Sequence, residues 1–270
     1  MRRGLHIIAF CGLWLAGRGQ TRISLVSQTN LAATNFAVDN LGDLYVITPD
    51  NQLKKFGPQG DSVATFDEVK RYGTLSEIDV TNPLKILLFY KDFMTVLALD
   101  RQLGRLFKMD LRQAQIFQAS TVAEAYDGNF WVFDEQNAQL KKMGDNGQAA
   151  MSTDDLRQVF GESLTPEEIV DAGGLVYLND TARGIYLFDY YGGFKVKLSF
   201  RGVTAMSVFG KTIYGLVNGE LFSYRPGTLQ EEHLALPIPV GDADQVQIVF
   251  NGVYVLRKGV LYRYSITSAP

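Results

Sequence analysis

Along most of the chain, apolar residues come in runs of about five to seven, rich in Val, Ile, Leu, Tyr and Phe, separated by Asp-Gly, Asn-Gly, Gly-Gly or Gly-Lys. Runs of that length broken by turn residues predict short strands joined by hairpins, and helical spacing is mostly absent. The pattern also returns. NFAVDNLGDLYVITPDNQLKKFGPQG from Asn35 is answered by AEAYDGNFWVFDEQNAQLKKMGDNG from Ala123, with the same succession of apolar run, Asp/Gly turn, second apolar run, polar turn and Leu-Lys-Lys strand. Four weaker copies complete the series. The six units start near Thr34, Leu75, Thr121, Pro166, Val203 and Asp244, a period of roughly 37 to 46 residues that suits the blade of a propeller.

Each full copy offers four strands; in the first they are expected over Asn35 to Val38, Asp43 to Thr48, Gln52 to Phe56 and Asp61 to Phe66. The predicted fold class is therefore all-β, a six-bladed β-propeller of four-stranded antiparallel blades. The last copy has only three strands, Gln245 to Val249, Val253 to Leu256 and Val260 to Tyr264. A strand-like segment, Arg22 to Ser27, stands unpartnered before the first copy. Joining the two would close the ring with the N-terminal strand and remove two exposed edges at once. The cassette resembles a six-bladed β-propeller of the NHL-like kind, and the stretch DVTNPLKILLFYKDFMTVLALDRQL resembles uncharacterised secreted propellers of Bacteroidetes. The resemblance spans Thr21 to Ser265. It implies a fold rather than a chemistry, because such propellers include enzymes, ligand binders and scaffolds.

Residues 1–19 stand apart from the repeats. Arg2-Arg3, the apolar run Leu5 to Ala16 and the small-residue exit Ala16 to Gly19 have the form of a secretory signal peptide, leaving residues 20–270 as one propeller domain. The apolar run is too short to span a bilayer. Cys11 follows Phe10 rather than the small residue a lipoprotein signal wants, so no lipid anchor is expected. The expected location is periplasmic or secreted, with no membrane span after cleavage. Loss of Arg2, Arg3 and Arg18 with the leader would take the formal charge from −3 to −6. Short, separated basic pairs such as Lys54-Lys55 and Lys141-Lys142 on that acidic background argue against nucleic acid. An insert, 152–168, reads as a short helix over Leu156, Val159 and Phe160, stopped by Gly161; Thr165-Pro166-Glu167-Glu168 has the form of a second helix start, while the propeller alignment runs strand from about Glu168.

Candidate chemistry is sparse. Asp39, Asp79, Asp127 and Asp171 are taken as equivalent residues of the first hairpin, where a carboxylate caps turn N–H groups. Recurring second-strand aromatics, Tyr45, Phe89, Trp131, Tyr177, Tyr214 and Tyr254, read as packing between blades. The turns between second and third strands share a face with the blade-to-blade links, and they supply the ligand-binding candidates Asp50, Asp92, Asp134, Asp180 and Arg257. The off-register aromatics Tyr72 and Phe93 join them. The acidic turns make calcium the one ion a site here would take, although no cofactor is expected. Lactonase-like propellers hold a catalytic calcium with a Glu, two Asn and an Asp facing the channel, and this chain shows no matching set. With only His6 and His233, and Cys11 alone in the leader, multi-His or multi-Cys zinc chemistry and a Cys-His pair are excluded. No G-x-S-x-G elbow or phosphate-binding loop is present. Two functions follow as expectations: a secreted, non-catalytic propeller that binds a protein or glycan of the cell envelope through this face, or a calcium-dependent hydrolase or lactonase with a channel metal.

Overall fold

The computed structural model describes residues 21–67, 71–228, 230–250 and 252–267; the leader-like segment 1–19 lies outside them. The chain opens with β1 (Arg22–Asn30). Blade one follows as β2 (Asn35–Val38), β3 (Leu44–Ile47), β4 (Leu53–Phe56) and β5 (Ser62–Phe66). Blade two is β6 (Glu77–Asp79), β7 (Ile86–Tyr90), β8 (Thr95–Leu99) and β9 (Arg105–Asp110). Blade three is β10 (Ala119–Glu124), β11 (Phe130–Asp134), β12 (Gln139–Met143) and β13 (Ala149–Ser152). After α1 (Leu156–Phe160), blade four is β14 (Glu168–Ala172), β15 (Leu175–Asp180), β16 (Gly184–Phe188) and β17 (Phe194–Leu198). Blade five is β18 (Thr204–Phe209), β19 (Thr212–Val217), β20 (Glu220–Tyr224) and β21 (Glu231–Ala235). The chain ends in β22 (Gln245–Val249), β23 (Gly252–Arg257) and β24 (Val260–Thr267).

All six sheets have four antiparallel strands, and the last has the order β1-β24-β23-β22. The closing strand runs from Arg22 opposite Thr267 to Asn30 opposite Val260, with a bulge between Leu25 and Ser27. The outer edge of β24 and one edge of β1 are thereby paired. The first strands contact one another in sequence around the ring, β2 to β6, β6 to β10, and on through β22 back to β2. They frame the central channel. Links between blades and the turns joining second to third strands share one face, tied by Asn51 Nδ2 to Gly73 O (3.3 Å) and Thr165 N to Asp180 Oδ2 (2.8 Å). This is the connection face. The first-to-second and third-to-fourth strand turns form the opposite face.

The core is divided into six apolar clusters, each between two neighbouring blades. Tyr45, Trp131 and Tyr177 fill these seams, as expected of large rings on second strands. Strand pairing corrects the register in blade two. Tyr45 lies opposite Ala37, and Trp131 opposite Ala123, but the corresponding partner of Asp79 is Leu87 rather than Phe89. Phe89 is buried two residues away. The four aspartates are not equivalent either. Asp79 ends β6, Asp171 lies within β14, Asp39 follows β2 directly, and Asp127 sits deeper in its turn. The blade-two turn, Val80 to Lys85, is longer than its counterparts, so an alignment anchored on Asp slides by two.

The insert folds much as its residues dictate. Asp155 caps α1 by accepting from Arg157 N, and Gly161 ends it at φ 70°. Leu156 is buried and Phe160 stacks among Tyr186, Phe188 and Phe194, but Val159 points to solvent. The capping-box pattern at Thr165 does not start a second helix. Glu168 instead opens β14, opposite Asn179, because the ladder satisfies more backbone groups than one helical turn would.

Candidate functional site

The connection face separates the predicted site residues more than it gathers them. Asp50 and Asn51 sit at the blade-one turn, and Asn51 reaches across to Gly73 of the link to blade two. Gly73 adopts φ +82°, and a Cβ there would lie 2.7 Å from the Phe93 ring, so Phe93 lies against the link backbone. Asp50, Asp92 and Phe93 thus share an exposed neighbourhood on blades one and two. Tyr72 lies beneath it, buried against Tyr90 with ring centroids 5.4 Å apart, because its place in the link directs it into the seam. Arg257, on blade six, donates to Asp242 at 2.7 Å and holds that carboxyl below its ordinary range.

Asp134 and Asp180 are fully buried, and their oxygens are spent on their own turns. Asp134 accepts from Asn137 N (3.1 Å), Asn137 Nδ2 (2.8 Å) and Lys141 Nζ (2.7 Å). Asp180 accepts from Ala182 N (3.0 Å) and Arg183 N (2.9 Å), and from Thr165 N of the preceding link. The four turn aspartates therefore do not supply calcium's roughly six to eight oxygens at one point. Among the described residues no three His, Cys, Asp or Glu side chains gather as metal ligands. His233, on the outer strand β21, is partly exposed beside Glu231 (3.0 Å) and Glu220 (3.7 Å).

The channel holds groups that sequence reasoning missed. An innermost strand has a free edge on the channel side, and side chains of the preceding blade close it. Glu77 accepts from Val122 N (3.1 Å), and both its oxygens accept from Thr121 Oγ1 (3.0 Å). Glu168 accepts from Met206 N (3.1 and 3.2 Å) and from Asn179 Nδ2 (2.8 Å). Gln245 accepts from Phe36 N and donates to Phe36 O, both at 2.8 Å. Blades two, four and six thus clamp blades three, five and one. A second tier repeats the device, with Asp79 accepting from Glu124 N (2.7 Å) and Gln247 bonding Val38 N (2.7 Å) and O (2.9 Å).

Burial raises Glu77 to about 8, against the pull of the Val122 N–H and Thr121 hydroxyl. Burial likewise raises Glu168 to about 7, and Glu124 to about 7 despite Lys85. A carboxyl tuned near neutrality is a candidate proton donor. Both oxygens of Glu77 and of Glu168 are, however, already held by their own or the next blade. Glu77 and Glu168 do structural work, while Glu124 accepts from Asn82 Nδ2 (3.3 Å) and faces Lys85 (3.5 Å) with an oxygen that has no hydrogen-bond partner. The signal in the sequence is a polar residue at alternate first-strand positions, as in Glu77-x-Asp79 and Gln245-x-Gln247.

On the opposite face three lysines are withdrawn, while Lys211 on the blade-five turn stays exposed. Lys55 is fully buried, 2.8 Å from Asp43 and 5.0 Å from the Tyr45 ring centroid. Lys85 lies between Glu124 (3.5 Å) and Asp145 (3.1 Å) and donates to Gly128 O. Lys142 pairs with Asp127 (3.0 Å) inside a cage of Tyr126, Trp131 and Tyr190. Large apolar side chains take the outside. Leu41 (54% exposed), Leu84 (67%), Tyr126 (67%) and Phe250 (73%) stand on first-hairpin turns of blades one, two, three and six. Tyr191 (90%) tops the outer turn of blade four. Tyr126 stacks on Tyr190 at 4.2 Å, and Phe250 meets Phe209 edge-on at 5.8 Å.

No family model and no curated protein matches this sequence. Solved structures do match in shape. The Neurospora crassa Pan2 WD40 domain aligns with TM-score 0.63 at 9% identity, over 93% of this chain and 96% of that one. Virginiamycin B lyase from Staphylococcus aureus gives 0.60 at 9% identity, over 92% and 100%. PorZ, a surface component of the type-IX secretion system of Porphyromonas gingivalis, gives 0.57 at 12% identity, over 88% of this chain and 32% of that one. These three differ in what their names say they do, and at such identities they share a fold with this chain and nothing finer: it is a six-bladed β-propeller.

Proposed function

We propose that this chain is a non-catalytic binding module of the cell envelope, periplasmic or secreted, whose ligand is a partner macromolecule. The observation that carries the reading is the employment of its ionisable side chains. Glu77, Asp79 and Glu168 join blades, Asp134 and Asp180 build turns, and the buried lysines brace seams. A catalytic group must be free to exchange a proton or bond with a substrate, and these are held by the frame. Propellers leave binding to the turns on their two faces. The envelope assignment draws on the leader-like pattern of residues 1–19, and the fold neighbour PorZ is itself a bacterial surface component.

The test is site-specific photo-cross-linking in cells expressing the full chain, with the reactive residue at Asp92 on the connection face or Leu41 on the opposite face, followed by fractionation. A defined covalent adduct in the envelope fraction is expected. A chain that stays in the cytoplasm, or that yields no adduct from either face, overturns the reading.

A further inference from the structure

The tight turns of the opposite face are the least expected place for large apolar groups. In the Asp39 turn, the carboxylate accepts from Leu41 N and Asp43 N; in the Asp189 turn, from Tyr191 N and Gly193 N. The residue two places after the Asp is thereby held at the tip and turned outward. The Asp100 turn is built the same way and carries Gln102 there, so polar side chains satisfy the geometry equally well. Nothing in the fold requires Leu41 or Tyr191. The tips of blades six, one, two and three are neighbours around the channel mouth, whereas the corresponding turns of blades four and five are glycine-bearing and pressed together: a Cβ on Gly173 would lie 2.9 Å from Gly210 O. The exposed apolar groups therefore form a crescent on one side of the mouth.

The charge beside the crescent points to what covers it. Lys55, Lys85 and Lys142 are matched by Asp43, Asp145 and Asp127. Asp79 and Asp171 lie on the blades either side of Tyr126 and accept from neutral donors: Thr81 and Glu124 N for the first, Tyr126 N, Trp131 Nε1 and Tyr190 Oη for the second. Among the described residues neither has an ion pair. Both are partly exposed. An apolar rim around carboxylates that have no ion pair of their own suits a segment with its own cation, and Arg matches best, since it can meet a carboxylate and the face of Tyr126 together.

We infer that the crescent of Leu41, Leu84, Tyr126 and Phe250 docks a partner protein through an apolar segment bearing an arginine or lysine that enters the acidic channel mouth. This rests on the binding-module reading and adds the surface and the partner's chemistry to it.

The experiment selects binders to the full chain from a random peptide display library and measures the enriched peptides by fluorescence anisotropy. Expected are apolar peptides with a basic residue, weakened at least about tenfold by Leu41→Ser or Leu84→Ser, as for an interface anchor, and unaffected by Phe93→Ser. Reversing the charge on the peptide, Arg to Glu, should cost a similar factor; the reversal is made there because Asp79 and Asp171 also hold the frame. Melting curves of Leu41→Ser and Leu84→Ser that match the parent show that the loss is not unfolding. Peptides sensitive to Phe93→Ser alone would overturn the crescent and leave the binding module standing. Indifference to charge reversal would overturn the acidic-mouth element. Binding to a glycan array but to no peptide would overturn the protein partner, and binding to neither would remove the binding module as well.

Discussion

Replacing Glu77 by Gln separates the two jobs a half-buried carboxylate can do, giving a hydrogen bond and bearing a charge. Burial lifts Glu77 from an ordinary 4.5 to about 8, so between those values the folded chain holds a proton that the unfolded chain has released. Stability then falls as pH rises through that window, at about 1.4 kcal/mol per pH unit for one group. Across the whole window that is on the order of 4 to 5 kcal/mol, and about 2 kcal/mol after a discount for water in the channel. The amide keeps the hydrogen bond. Gln245, at the matching place in blade six, accepts from Phe36 N and donates to Phe36 O, and Val122 offers the same backbone pair to blade two. Urea unfolding of Glu77→Gln and parent should therefore nearly coincide at about pH 5 and favour the variant by about 2 kcal/mol at about pH 9, with a residual slope from Glu124 and Glu168. A variant that loses more stability at high pH than at low pH would refute the reasoning, for the ionised carboxylate would then be the better clamp.

Two further outcomes test the frame and the expected cofactor state. Lys55→Met strands the carboxylate of Asp43 in a buried seam and should cost about 3 to 5 kcal/mol in urea unfolding, while adding Asp43→Leu should restore most of it, because a buried ion pair can be replaced as a unit; equal loss in single and double variants would show that packing, not charge, matters. Calcium or EDTA should leave the melting temperature within about 1 °C, since a site would announce itself by mass action, and a shift of several degrees would favour the calcium-dependent enzyme over the binding module.

Most of the architecture was legible because a propeller writes itself in short-range signals: strand-length apolar runs, turn residues and a period. Even the closing strand could be read, from a missing fourth strand at one end and a spare one at the other. Legibility stopped where meaning depends on which blade lies alongside. Glu77 and Glu168 look like ordinary strand-opening residues, and only the neighbouring backbone makes them clamps. Lys54-Lys55 and Lys141-Lys142 read only as short basic pairs, yet strand alternation turns the second lysine of each pair into a seam. Tyr72 was a surface candidate because it broke register; the link that carries it dips beneath Phe93 instead. Asp134 and Asp180 showed their turns correctly, but not that those turns consume both carboxylate oxygens. Leu41 and Leu84 were visible as turn residues, and their exposure acquires meaning only once their turns are seen to surround one opening.

The pairing of β1 with β24 also sets an order of events. Ser24 and Ser265 share a hydrogen bond across 241 positions of sequence, so β1 has no partner until β24 has been made. Such a contact has the largest loop to close and places the chain among slow folders. During that wait both edges of β1 remain open. Ring closure therefore waits on β24, and a chain stopped before that strand would keep β1 as an open edge for other strands or proteases to find.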